Sequence, residues 1–171
     1  MKKIIILYAL AIFTINLWSQ SPADKVFDKY SGAEGFTTVY ITKYMFDLFK
    51  DLENDKVSDE MQEAISRLDC IKILATDDES ETKTRLNLYD EVMKNLPQEE
   101  YKELMVIKEK DENVKFLVRE KENKVVELLL LVGSPDESVM ISIQGDIDMK
   151  NIARITKSLN IEGMEKLEKM E

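Results

Sequence analysis

The stretch VKFLVREKENKVVELLLLVG, residues 114–133, contains two apolar runs joined by the polar tetrapeptide KENK. The first run alternates apolar residues with Lys115 and Arg119, which is typical of a strand with one buried face and one face in water. The second run is apolar at every position from Leu128 to Val132, which is typical of a strand buried on both faces. The stretch therefore predicts an antiparallel hairpin whose second strand is central in its sheet.

Two further apolar runs flank this hairpin. ELMVIKE lies before it, across the turn-like stretch KDEN, and SVMISIQG lies after it, across SPDE. Asn113 and Asn123 stand where tight turns favour a left-handed backbone. We predict a four-stranded antiparallel meander in the last third of the chain.

The upstream chain combines strand and helix patterns. FTTVYITKYMFDLFKDL changes from two-residue to helical spacing near Lys43, and CIKILAT has the pattern of another strand. Helical spacing also marks NDKVSDEMQEAISRL, with Ser58 as its cap, and LNLYDEVMKNLP, which ends at Pro97. A last helical stripe follows the final strand and consists of Met149, Ile152, Ile155 and Leu159. The prediction is an α+β fold in one domain, residues 20–171, with an antiparallel sheet, a four-strand C-terminal meander and helices packed on one face.

The N-terminal segment has the pattern of a secretory signal. Lys2 and Lys3 precede an apolar run over residues 4–17, and the chain becomes polar from Ser19 onward. The run is shorter than the roughly 20 apolar residues that a membrane-spanning helix needs. We predict a signal peptide over residues 1–19, export to the periplasm or cell envelope, and no membrane span after cleavage. A retained N-terminal anchor is the alternative.

The charge balance argues against nucleic acid as a ligand. The chain has 34 acidic and 24 basic residues, a net charge of −10, and loss of Lys2 and Lys3 with the signal would change it to −12. Binding to phosphate backbones is driven by clustered Lys and Arg, which release counterions. Acidic and basic residues are instead mixed along the chain, which is typical of solvated faces.

The residue types that most catalytic sites need are missing. Because the chain has no histidine, Ser–His–Asp and Cys–His catalysis and histidine-bound zinc are excluded. Trp18, the one tryptophan, lies in the predicted signal. The five glycines match neither the dinucleotide-binding fingerprint nor the phosphate-binding loop. Cys70, the one cysteine, stands among apolar residues and is interpreted as a structural strand position. We predict no catalytic residue and no cofactor.

One acidic stretch, ISIQGDIDM, invites two interpretations. Asp146 and Asp148 come where the last strand ends and a helix is predicted, so that either can cap the helix, and Gly145 allows a bend or a positive φ. The alternative is that Gln144, Asp146 and Asp148 supply oxygen ligands to calcium. The spacing lacks the further ligands of a calcium loop, so we favour the cap.

Two other stretches also have a structural and a functional interpretation. Tyr44, Met45, Phe46 and Phe49 could line an apolar pocket, but their helical spacing favours core positions. GSPDES, residues 133–138, contains serines but has the composition of a turn between strands. We predict core and turn, respectively.

The chain also resembles a known family. The segments FDKYSGAEGFTTVYITKYMFDLF and FLVREKENKVVELLLLVGSPDESVMISIQGDIDMKNIARITKSLNIEGMEKL look like the family called domain of unknown function 4252. The motifs are Val118–Arg119–Glu120, the run from Glu127 to Gly133, and Gly145–Asp146–Ile147–Asp148. The resemblance implies a small exported protein of Gram-negative bacteria, without the lipoprotein cysteine of some members. It also implies a role in envelope signalling, since such genes accompany extracytoplasmic sigma factors, and it implies no activity.

These observations favour a non-catalytic exported protein that binds a protein partner in the cell envelope. One alternative is a binding module for a small apolar ligand or a cation. Another is a carboxylate-based hydrolase, because among 34 acidic residues some pair lies close by chance.

Overall fold

The computed structural model describes residues 20–50, 59–76, 87–135 and 137–148. The predicted signal segment, residues 1–19, lies outside the described residues. So do the predicted helix cap and the last helical stripe, formed by Ser58, Met149, Ile152, Ile155 and Leu159.

Six antiparallel strands form one sheet in the order β1-β2-β6-β5-β4-β3. Their bounds are Phe36–Thr42 (β1), Leu68–Thr76 (β2), Tyr101–Lys108 (β3), Asn113–Lys121 (β4), Lys124–Gly133 (β5) and Ser138–Ile147 (β6). The predicted antiparallel meander is confirmed as β3 to β6. The sheet nevertheless has more than four strands, because β2 pairs with β6. Ile71 lies opposite Ile143, and Ile73 lies opposite Ile141.

Four helices are described, α1 (Pro22–Tyr30), α2 (Lys43–Lys50), α3 (Asp59–Ser66) and α4 (Leu88–Asn95). The sequence patterns predicted the last three and missed α1. The start of α1 is fixed by a capping box, in which the Ser21 side chain accepts from the Ala23 backbone and the Asp24 side chain accepts from the Ser21 backbone. Proline at the first helical position favours the same start.

The helices pack on both faces of the sheet, so the prediction of a single covered face is wrong. Residues of α1 and α4 pack with Leu129 and Leu131 of β5 on one face. Phe46 of α2 packs with Phe116 and Leu130 on the other. The reason is the run of consecutive apolar residues in β5, whose side chains point alternately to the two faces, so that both faces have to be covered.

The tight turn between β4 and β5 has a left-handed backbone, with φ of 52° at Glu122 and 62° at Asn123. The prediction is confirmed for Asn123 and wrong for Asn113, which is the first residue of β4 and is not among the positive-φ residues. Gly145 has a φ of 150°, as the sequence allowed, and a side chain there would collide with the Arg67 carbonyl. Of the described helices, none has the length and apolar character needed to cross a membrane.

Candidate functional site

A row of polar side chains crosses the sheet on the face that α1 and α4 cover. The strand register places Tyr101 of β3 opposite Arg119 of β4, Arg119 opposite Glu127 of β5, and Glu127 opposite Gln144 of β6. We call Tyr101, Arg119, Glu127 and Gln144 the polar row. Four neighbouring strands therefore each contribute one residue to it.

Glu127 is the centre of the polar row and has no exposed surface. Its Oε2 atom accepts hydrogen bonds from the Tyr101 hydroxyl at 2.8 Å, the Ser21 hydroxyl at 2.5 Å and Arg119 Nε at 2.9 Å. Its Oε1 atom accepts from the Ser142 hydroxyl at 2.8 Å. Four donors thus replace the water that a buried carboxylate loses.

The start of α1 joins the row through a second carboxylate, that of Asp24. Its Oδ1 atom accepts from Gln144 Nε2 and from Lys72 Nζ, each at 2.7 Å. Its Oδ2 atom accepts from the Ser21 backbone at 3.1 Å. The same two residues that cap α1 therefore hold it on β5 and β6.

The electrostatics of these groups follow from burial and from the two carboxylates. Burial disfavours the charged form of Arg119, but the hydrogen bond to Glu127 and the charge of that carboxylate outweigh it and raise the Arg119 pKa. Burial also opposes the charge of Lys72, and Asp24 outweighs it in the same way, so the Lys72 pKa is raised. Burial, together with the charge of Glu127, raises the pKa of the Tyr101 hydroxyl. At neutral pH, Tyr101 is a neutral donor beside an ion pair.

Arg119 is only partly satisfied. Its guanidinium bonds Glu127 through Nε, whereas its Nη1 atom is buried and has no hydrogen-bond partner in the described part of the chain. A buried donor without a partner costs roughly 1 to 3 kcal/mol. The ion pair with Glu127 therefore stabilises the buried charge of Arg119.

The centre of the polar row is buried. Glu127 has no exposed surface, Tyr101 and Arg119 are 7% and 6% exposed, and Gln144 is half-buried. The hydrogen bonds from Ser21 to Glu127 and from Gln144 to Asp24 join the start of α1 to β5 and β6.

The structure gives the predicted metal or cap residues different surroundings. The Gln144 amide points into the polar row and donates to Asp24 and, at 3.1 Å, to Ser142. Asp146 lies inside β6 and forms an exposed ion pair of 3.0 Å with Lys124. Asp148 is exposed just beyond β6. The helix that it was expected to cap lies outside the described residues, and the calcium alternative stays a prediction.

Cys70 lies in β2 and is buried, so its interpretation as a structural strand position is confirmed. Burial raises the pKa of its thiol to about 11. Because the thiolate is the reactive form, Cys70 is protonated and unreactive at neutral pH.

Residues 133–138 connect β5 to β6, which supports their interpretation as a turn. The Ser134 hydroxyl donates to the Glu137 carbonyl and accepts from the Glu137 backbone, each at 2.9 Å, which closes the turn. A shallow cavity of about 430 Å³ lies between this turn and the β3–β4 turn. Its lining is formed by Glu109, Lys110, Asp111, Glu112, Ser134 and Pro135.

An exposed apolar surface lies at the β1 edge of the sheet, opposite the β3 edge. We call it the apolar edge, and it consists of Val39 and Tyr40 of β1 with Tyr44, Met45 and Leu48 of α2. Tyr44 is 72% exposed and Met45 47%, so the prediction that they are core residues is wrong. The prediction is confirmed for Phe46, which is 5% exposed, and the Phe49 side chain is outside the described part of the chain. Phe46 of α2 faces the sheet and α3 also contacts α2, whereas Tyr44, Met45 and Leu48 stay exposed.

A family model described as "Domain of unknown function (DUF4252)" matches residues 30–155, which is more than half of the chain. The protein belongs to this family. The matched part contains the whole polar row and the apolar edge, and it begins after Ser21 and Asp24. The family carries no assigned activity, and neither a curated protein nor a solved structure matches the chain.

Sequence reasoning missed most of the polar row. Arg119 was assigned to a wet face, but it is 6% exposed because α1 and α4 cover that face. The stretch Ser21–Pro22–Ala23–Asp24 carries a usable signal, since Ser and an acid three residues later form a capping box and proline fits the first helical position. Glu127, directly before five apolar residues, is a second signal, because a charge next to such a run needs a buried partner.

Proposed function

We propose that this protein is a non-catalytic, exported cell-envelope protein that binds another protein through the apolar edge. The observation that carries the proposal is the exposure of five large apolar side chains on one strand and the helix that follows it. Exposed apolar residues grouped at one sheet edge commonly mark interaction sites. Val39 and Tyr40 point to opposite faces of the sheet, and the centre of the Tyr40 ring lies 6.2 Å from that of the Phe27 ring. The two most exposed, Tyr44 and Tyr40, are of a type enriched in protein interfaces.

The backbone of β1 supports the same surface. β1 pairs with β2 on one side, and no described strand lies on its other side. Its sequence, FTTVYIT, has no charged residue, whereas exposed edges are usually protected by charges, proline or bulges. Unpaired backbone groups beside apolar side chains suit a partner that adds a strand.

The interior of the protein supports a non-catalytic role. Two acids, Glu127 and Asp24, accept several hydrogen bonds each. Both are buried, and both are already bonded to protein groups. The cavity at the β3–β4 turn is lined by charged side chains, which do not suit an apolar ligand.

The envelope location rests on the N-terminal pattern and on the family. Residues 1–19 have the basic start and apolar run of a secretory signal. An accessory role in envelope signalling is what the family resemblance implies. The apolar edge would then be the surface through which the protein meets a regulator.

Photo-crosslinking in living cells tests the proposal. A photoreactive phenylalanine analogue replaces Tyr44, and the matched control replaces Lys110 of the β3–β4 turn, whose side chain is 93% exposed. We expect ultraviolet-dependent protein adducts in the envelope fraction from position 44 and none from position 110. Equal adducts from both positions, or none from position 44, would contradict the proposal.

A further inference from the structure

We propose that the partner at the apolar edge is a second copy of this chain, paired β1 to β1 in antiparallel orientation. This inference rests on the proposed function, because it names the occupant of the same surface. Two sheets of six strands would then form one continuous sheet across a two-fold axis.

The β1 sequence is suited to pairing with itself. A two-fold axis perpendicular to the sheet keeps every side chain on its own face, and the longest overlap of two β1 strands is centred on Val39. Val39 then faces Val39 of the second copy, Thr38 faces Tyr40, and Thr37 faces Ile41. These are β-branched and aromatic pairs, which stabilise antiparallel strands, and like charges do not face each other.

The residues that flank β1 are complementary in charge. Glu34 precedes the strand and Lys43 follows it. In the arrangement centred on Val39, Phe36 of one copy faces Thr42 of the other, so Glu34 and Lys43 lie beyond the same end of the paired strands. Symmetry repeats this arrangement at the other end, so the dimer gains two pairs of opposite charges.

The two edges of the sheet explain why assembly would stop at two copies. β3, at the far edge, carries Lys102, Glu103 and Lys108, and its pairing with β4 is interrupted by a bulge between Glu103 and Met105. Charges and bulges are the features that prevent further strand pairing. Pairing through β1 would use the unprotected edge of each copy. The two protected β3 edges would then lie at the two ends of the combined sheet.

The helices after β1 add to the same interface. α2 contacts β1 and β2, and its Phe46 packs on one face of the sheet. Because the two-fold axis is perpendicular to the sheet, both copies of α2 lie on this same face, on either side of the new strand pair. The exposed Tyr44, Met45 and Leu48 of both copies then flank that pair.

The net charge gives the dimer a distinctive salt dependence. Each copy carries a formal charge of −10, or −12 once Lys2 and Lys3 are lost with the predicted signal, so two copies repel each other at long range. Salt screens this repulsion, because the Debye length falls from about 14 Å at 0.05 M to about 4 Å at 0.5 M. The dimer should therefore become tighter with salt, whereas binding of a basic partner would become weaker.

The first experiment measures mass in solution by sedimentation equilibrium, on protein expressed with its own N-terminal segment and purified from the envelope fraction. We expect a monomer–dimer equilibrium that shifts toward dimer with salt. Val39→Lys should weaken the dimer at least roughly tenfold, because it places two like charges opposite each other. The matched control is Val106→Lys on β3, since Val39 is 39% exposed and Val106 36% exposed, and it should leave the equilibrium unchanged.

A cysteine variant tests the register and avoids any dependence on the folding of Val39→Lys. Facing residues in antiparallel strands have Cα atoms about 4.5 to 5.5 Å apart, which a disulfide can span. Val39→Cys should form a disulfide-linked dimer under mild oxidation, and Val106→Cys should not. The native Cys70 is buried and does not compete.

The outcomes separate this inference from the proposed function. A purified protein that stays monomeric up to roughly 100 µM, with no Val39→Cys disulfide, overturns the dimer. If position 44 still crosslinks in cells to a different protein, the proposed function stands without the dimer. An adduct of twice the mass of the monomer in the same envelope fraction supports both.

Discussion

The two acidic regions of the molecule, the buried one around Glu127 and the exposed one at the end of β6, differ in almost every respect. Glu127 has no exposed surface and accepts four hydrogen bonds from four residues. The Asp146 side chain is 51% exposed and pairs with Lys124, whose side chain is 64% exposed. Two aspartates close in sequence suggested a site, but the strand register instead placed Glu127 between Arg119 and Gln144. Cross-strand neighbours of this kind are not visible from spacing along the chain.

The largest difference between the regions should appear on loss of the Glu127 charge. Glu127→Gln keeps the size of the side chain but leaves Arg119 as a buried charge without its partner, which costs about 3 to 5 kcal/mol of unfolding free energy. The matched control is Glu120→Gln, whose partner Lys102 is exposed, and its effect should stay within about 0.5 kcal/mol. Urea unfolding measures both. A loss below about 1 kcal/mol for Glu127→Gln would show that the ion pair does not hold the fold.

A double-mutant cycle should sharpen the contrast. Arg119→Met and Glu127→Leu each leave one buried charge, whereas the double variant leaves neither. We expect the double variant to lose less unfolding free energy than the sum of the single variants, by about 1 to 3 kcal/mol. The same cycle on Lys124 and Asp146 should give about 0 to 1 kcal/mol, because both side chains are solvated. Equal coupling in the two cycles would remove the distinction between the regions.

Tyr101→Phe should have an intermediate effect, with a pH dependence of defined sign. Loss of the hydroxyl bonded to Glu127 should cost about 1 to 2 kcal/mol at pH 7. Because the folded Tyr101 pKa is raised, the unfolded chain loses this proton first as pH rises through about 10. Wild-type stability should therefore fall above that pH, and Tyr101→Phe should fall less steeply. Cys70, with a pKa of about 11, contributes in the same direction in both proteins, so that their difference reports Tyr101.

The smallest effect is expected for Asp146→Ala. Its ion pair with Lys124 is exposed, so the unfolding free energy should change by no more than about 0.5 kcal/mol. Thermal unfolding with and without calcium tests the metal alternative at the same time. A calcium-induced rise in Tm that disappears in Asp146→Ala and in Asp148→Ala would establish a cation site at the end of β6.

The strands of the meander were predictable because their patterns are local. β4 alternates and β5 is apolar from Leu128 to Val132, and both patterns fix a strand and its degree of burial. The pairing of β2 with β6 was not predictable, since it depends on strand order. The helix α1 was missed, but it could have been predicted from its capping box, because the box lies within four consecutive residues.

Burial of single side chains was harder to predict than the strands. Lys115 and Arg119 share one face of β4, yet Arg119 reaches a buried carboxylate and Lys115 pairs with the exposed Glu103. The Lys115 and Arg119 side chains are 14% and 7% exposed, so they differ in their partners more than in their burial. Tyr44 and Phe46 likewise belong to one helix, and only the placement of that helix on the sheet separates the exposed ring from the buried one.

The roles of the two ends of the sheet can be separated by a single measurement, the crosslinking yield from position 44 in cells. Tyr101→Phe alters the polar row, and Val39→Lys alters the apolar edge. We predict that Tyr101→Phe, although less stable, keeps the wild-type yield, and that Val39→Lys, with its stability retained, loses it. A folded Tyr101→Phe protein without adducts, beside a Val39→Lys protein with full yield, would show that binding depends on the polar row and not on the edge of β1.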